Sequence, residues 1–129
     1  MKKIITFIVL MVSMFAMNSN SETYYYDYDQ SDLLAYESYY DDFPYELIYQ
    51  NLTVSDLYGL NCYELRILRN TIFAYRGYKF KSNDLKTFFG RLSWYRGSES
   101  DQSKVMKRMT KTEKHNIEVI KKRERQLGC

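Results

Sequence analysis

Apolar residues are spaced along this chain in several ways, and each spacing predicts a different element. Ile4 to Ala16 run for thirteen residues with only Thr6 and Ser13 polar, behind a basic start at Lys2 and Lys3. That run is too short for a spanning helix and suits the apolar region of a secretory signal. Residues 1–21 are therefore read as a signal peptide, cleaved after Ala16 or after Ser21; an uncleaved membrane anchor is the other reading. Residues 22–45 hold no sustained period, and Tyr and Asp dominate them. They read as a disordered acidic linker that ends near Pro44. "YELIYQNLTV" follows, and its apolar positions predict a short strand or an extended arm lying on the core.

From Ser55 the helical period takes over. Ser55 is placed to cap one turn over Asp56 to Leu60. Asn61, with Glu64 three residues on, makes a capping box for the next helix. Leu65, Leu68, Ile72 and Tyr75 share one face of it, and Tyr63, Ile67 and Ala74 form a smaller stripe nearly opposite. A helix that is apolar on two sides is a central helix, covered on both. Gly77 stands where a helix ends in left-handed backbone. Tyr78 and Phe80 then alternate with Lys79 and Lys81, so this link is extended with two rings on one side.

Ser82 predicts the cap of a short helix that carries Leu85, Phe88 and Phe89 and stops at Gly90. "SWYRGSESDQS" is a loop that starts with Trp94 and Tyr95, and "KVMKRM" is read as one further turn. Thr110 and Glu113 form a second capping box, and the last helix runs to about Arg125 with a thin apolar face, Ile117 and Ile120. The fold class is mainly α: a small bundle of about three helices with aromatic-rich extended connections, preceded by a disordered acidic arm. The folded domain is placed at residues 46–129. Aliphatics are few beyond the helix faces, so Phe73, Tyr78, Phe80, Phe88 and Trp94 are expected in the core.

Charge changes this picture. Residues 22–64 hold ten acidic residues and no Lys or Arg, whereas residues 65–129 hold seventeen Lys plus Arg against six Asp plus Glu. The nearest partner for the basic half is the acidic half itself. Two cysteines, Cys62 and Cys129, lie beyond the signal. In an oxidising compartment an intramolecular bond between them closes a large loop and adds about 4 kcal/mol by chain entropy. A bond between two molecules through Cys129, or two free thiols, are the alternatives.

Candidate chemistry is sparse. His115 is the only histidine, and Glu113 and Glu118 do not stand at ligand spacing from it, so no metal site is expected. Cys62 and His115 lack the local context of a nucleophile pair, and the paired carboxylates crowd into the linker rather than a cleft. No catalytic residue and no cofactor are expected. Arg66, Arg69 and Asn70 flank the apolar face of the central helix, where a ligand clamp is one reading and a structural role the preferred one. Arg69 is expected to reach Glu113 or Glu124 and tie the two long helices together, with Asn70 satisfying backbone and Asn116 in a similar role. Tyr75, Arg76, Lys79, Lys81, Tyr95 and Arg96 mix rings and cations around two glycine turns, and are read either as a ligand site or as a solvated rim.

"LRILRNTIFAYRGYKFKSNDLKTFFGRLSWYRG" followed by "EKHNIEVIKKRE" resembles the YARHG domain, a small module of bacterial secreted proteins. The likeness covers about residues 52–125, with its parts in the family's order: the Leu-Arg-x-x-Arg-Asn helix, the aromatic-Ala-x-x-Gly stop, Tyr-x-Phe, Ser-Trp-Tyr, and the final Asn-Ile-x-x-Ile helix. Where the family motif reads Tyr-Ala-Arg-His-Gly, this chain has Phe73, Ala74, Tyr75, Arg76 and Gly77, so no role resting on that Arg and His carries over. The resemblance implies a secreted or periplasmic domain with no established activity. The expected function is a non-catalytic envelope-binding module, its partner an anionic wall polymer or an envelope protein. No nucleic acid and no membrane insertion after signal cleavage are expected. The rivals are a regulatory or inhibitory protein acting through its acidic arm and a small cell-wall hydrolase.

Overall fold

The computed structural model describes residues 43–129. The predicted signal peptide and residues 22–42 of the predicted linker lie outside the described residues. Five α-helices and one 3-10 turn make up the described fold, which contains no strand: α1 (Glu46–Tyr49), the 3-10 turn (Val54–Leu57), α2 (Cys62–Tyr75), α3 (Asn83–Gly90), α4 (Gln102–Lys107) and α5 (Lys111–Leu127). The mainly helical class predicted from the sequence holds, with short α1 and α4 added to the three longer helices.

α2 is the central helix. Leu65, Leu68 and Ile72 are buried on one face, and Ile67, Phe73 and Ala74 on the other. Tyr63 and Tyr75, assigned to those stripes, stand at their edges and remain exposed. Asn61 and Glu64 cap the helix reciprocally, the Asn61 side chain accepting from Glu64 N–H and the Glu64 carboxylate accepting from Asn61 N–H at 2.8 Å. α5 packs along α2 and opens with the same device, Thr110 and Glu113. Its buried face is Glu113, Asn116, Ile117 and Ile120, and it continues to Leu127, two residues past the predicted end.

The two long helices are antiparallel and tied at three levels. Cys62 at the start of α2 is bonded to Cys129 just past α5, with Cα atoms 5.6 Å apart. Arg69 in mid-helix donates to both carboxylate oxygens of Glu124. Arg76, at the end of α2, donates to both oxygens of Glu113 in the first turn of α5.

Four local expectations are corrected. Residues 46–49 form a helical turn rather than a strand. Adjacent Leu47 and Ile48 are both buried, which a helical turn allows and an alternating strand does not. The Pro44 carbonyl starts the turn by accepting Leu47 N–H at 2.9 Å. Phe43 and Pro44 are also buried, so the fold begins by residue 43 rather than 46. The 3-10 turn is capped from Thr53, not Ser55: Asp56 accepts both Thr53 N–H and the Thr53 hydroxyl, at 2.7 Å each. Ser82 occupies the cap position of α3 and its carbonyl accepts Lys86 N–H at 3.0 Å, but its side chain makes no cap bond to the helix backbone.

The core joins these helix faces to a row of rings. Phe80 stacks on Phe89 at 4.8 Å, Phe88 meets Phe89 edge-on at 5.0 Å, and Tyr78, Trp94 and Tyr95 are half-buried against the row.

Candidate functional site

The corner after α2 is built from Gly77. It adopts φ +80°, which only glycine takes without strain, and its N–H donates to Ala74 O while Tyr78 N–H reaches Phe73 O. Those two bonds satisfy the last carbonyls of α2 and turn the chain back across the domain. The Gly77 carbonyl then accepts Ser98 N–H and Glu99 N–H, and Lys79 N–H donates to Glu99 O at 2.8 Å. The loop 95–99 is thereby pinned against the Tyr78–Phe80 link. Gly97 makes the close approach possible, since a Cβ there would lie 2.5 Å from the Tyr95 hydroxyl.

The six candidate ligand residues separate into three groups. Arg76 and Tyr95 are occupied within the fold. The Arg76 guanidinium pairs with fully buried Glu113, and the Tyr95 hydroxyl donates to Tyr78 O at 2.7 Å. Burial of the Tyr95 ring raises its hydroxyl above the ordinary tyrosine range. Arg96 is exposed, but its guanidinium donates back to Ser93 O and Tyr95 O.

Tyr75 faces the other way. Its ring lies 4.4 Å from Phe43, under the Arg76 guanidinium, and burial raises its hydroxyl. Tyr45 and Tyr49 stack nearby at 6.2 Å, 55% and 72% exposed, and Phe43 continues the cluster to Trp94. These two tyrosines and Phe43 escape sequence reasoning, because residues 43–49 carry no pattern that distinguishes them from the tyrosine-rich stretch before them.

Lys79 and Lys81 remain free, on a shallow groove of about 360 Å³ lined also by Phe80, Lys86, Ser98 and Ser100. Lys86 and the two serines join the site through tertiary folding, Lys86 from the outer face of α3 and the serines from the pinned loop. Three ammonium groups and two hydroxyls around one depression can hold an anionic group by charge and hydrogen bonds. A second depression, about 420 Å³, flanks the disulfide between α2 and α5. Most of its cations are spent: Arg69 on Glu124, Lys121 on Glu118, and Arg66 on Asp84, whose carboxyl is held down at about 2 by the Arg66 hydrogen bond.

The residues read as structural lie within the fold. Asn70 donates to Arg66 O at 2.8 Å. Asn116 is fully buried; its amide donates to Leu47 O and Gln50 O and accepts Leu52 N–H. Phe73, Phe80, Ile117 and Ile120 are buried, and Trp94 is half-buried. The exposed ring of His115 bonds Leu52 O through Nε2 at 3.0 Å. Among the described residues no group of three or more His, Cys, Asp or Glu is placed to hold a metal ion, and no helix is long and apolar enough to cross a membrane.

No curated protein and no solved structure matches this chain. The model of the YARHG domain matches residues 41–125, well over half of the sequence and starting two residues before the described fold; the chain belongs to the YARHG domain family.

Proposed function

We propose that this chain is a non-catalytic, extracytoplasmic binding module that holds an anionic polymer of the bacterial cell envelope in the lysine groove. The observation that carries the reading is the groove itself. Of the cations around the corner, Arg76 and Arg96 are engaged within the fold, while Lys79, Lys81 and Lys86 line one depression with Ser98 and Ser100. The signal-like start and the Cys62–Cys129 bond support an oxidising compartment outside the cytoplasm. The groups a small hydrolase would call on are engaged otherwise: the Cys62 sulfur in the disulfide, the His115 ring on Leu52 O, and Glu113 on Arg76.

The test is retention of the protein on isolated wall sacculi across a salt series. Binding that fades with salt and is lost in a Lys79→Glu, Lys81→Glu, Lys86→Glu variant supports the reading, because all three side chains are exposed and the fold does not depend on them. Absence of retention at low salt overturns it. The exposed Tyr45, Tyr49 and Tyr75 favour a second reading, an envelope protein as partner, since tyrosines anchor protein interfaces. Under that reading, replacing Tyr45 and Tyr49 by serine abolishes partner capture and the lysine variant does not.

A further inference from the structure

We propose that the lysine groove is also the docking surface for the chain's own acidic segment, residues 22–42, which competes there with any external polyanion. The inference rests on reading the groove as an anion site, and adds a built-in occupant that regulates it.

Charge is the first argument. Residues 43–129 carry seventeen Lys plus Arg against nine Asp plus Glu, and four of those acids are already committed to Arg66, Arg69, Arg76 and Lys121. Lys79, Lys81 and Lys86 take no part in those pairs. Residues 22–42 carry seven carboxylates and no cation. The chain thus holds, in one covalent piece, an uncompensated acidic segment and an uncompensated basic groove.

Place is the second. The segment joins the fold at Phe43, whose ring meets Trp94 at 4.9 Å. From Trp94 the row passes to Phe89 at 6.3 Å and to Phe80 at 4.8 Å, and Phe80 lines the groove. Three ring-to-ring steps therefore separate the point of attachment from the lysines. Twenty-one residues span up to about 70 Å when extended, far more than that path needs. A tether of this kind holds its carboxylates near the groove at a local concentration on the order of millimolar.

Composition is the third. The segment interleaves rings with acids, as in "YYYDYD", and the groove sets Lys79, Lys81 and Lys86 around the edge of the Phe80 ring. Contacts between the segment's rings and the groove's lysines can accompany the ion pairs. Of the cations of α5, Lys121 is paired with Glu118 and Arg123 lies over the Tyr58 ring, whereas all three lysines of the groove are free of such contacts among the described residues.

The experiment uses the chain lacking only residues 1–21, dilute and at low salt, treated with a water-soluble carbodiimide that joins carboxylates in contact with lysines. Linked peptides are then mapped by mass spectrometry. The expected result is intramolecular links from residues 22–42 to Lys79, Lys81 or Lys86, suppressed by salt and by added inorganic polyphosphate. Links confined to the α5 lysines, links only between chains, or none overturn the inference. In parallel, polyphosphate binding is compared with that of a variant carrying Asp27→Asn, Asp29→Asn, Asp32→Asn, Glu37→Gln, Asp41→Asn and Asp42→Asn. Neutralising the competitor is expected to tighten binding about tenfold at low salt, with the gain vanishing at high salt. Unchanged affinity in the neutralised variant overturns the competition. Groove links found while polyphosphate binds neither form support the docking and overturn the polymer reading instead.

Discussion

The amide of Asn116 makes three hydrogen bonds inside the domain, to Leu47 O, Gln50 O and Leu52 N–H, across more than sixty residues of sequence. With the His115–Leu52 O bond beside it, it pins the first segment of the fold on α5. Asn116→Leu leaves two carbonyls and one N–H without partners, and should cost about 3 kcal/mol or more in urea unfolding. Hydrogen exchange at residues 47–52 should accelerate first, and a loss below about 1 kcal/mol would refute the role. Asp84 gives a pH signature. The Arg66 hydrogen bond holds its carboxyl at about 2, so its contribution to stability is complete above the ordinary carboxylate range and is lost as pH falls toward 2. The pair is exposed, so that contribution stays below about 1 kcal/mol, and NMR titration is the sharper readout. In Arg66→Gln the Asp84 carboxyl should titrate back toward about 4. Residue roles were legible in the sequence where the partner was one of few choices, as with Arg69 and the two acids of the last helix. They were illegible for Tyr95, whose hydroxyl is spent on a backbone carbonyl no side-chain pattern announces.

At the scale of elements, α2 and α5 could be read in advance because their signals are local. Each has a capping box and an apolar stripe within one short window. α1 could not, because its turn depends on Pro44 before it and on Asn116 far along the chain. The groove was half-legible for the same reason: Lys79 and Lys81 sit in the corner itself, whereas Lys86, Ser98 and Ser100 arrive by folding. The tie between the end of α2 and the start of α5 is testable. Arg76→Ala strands the buried Glu113 carboxylate and should cost about 3–5 kcal/mol by denaturant unfolding. The double variant Arg76→Met, Glu113→Leu should recover most of that loss. The remaining deficit should be about 1 kcal/mol, because Glu113 also caps α5 by accepting Thr110 N–H. If the double variant is no more stable than Arg76→Ala, the stranded charge is not the cause.

The whole molecule is small, and its two halves carry opposite charge, a feature plain from the sequence alone. Cysteine pairing was not plain, since sequence holds no distance; the structure brings Cys62 and Cys129 together by ending α5 beside the first turn of α2. Replacing both by serine should lower stability by about 4 kcal/mol, and a dithiol reductant should reproduce the loss in the parent but not in the variant. The bond has a mechanical consequence as well. A tensile load applied between residue 43 and residue 129 passes from Cys62 directly to Cys129, so everything between them lies inside a covalent ring that carries no tension. Only residues 43–61 can be drawn out, about 65 Å of slack against about 300 Å for the reduced chain. The corner, the groove and both long helices lie within the ring. A module anchored at its two ends would therefore keep the lysine groove shielded from direct strain while the segment leading into it gives way.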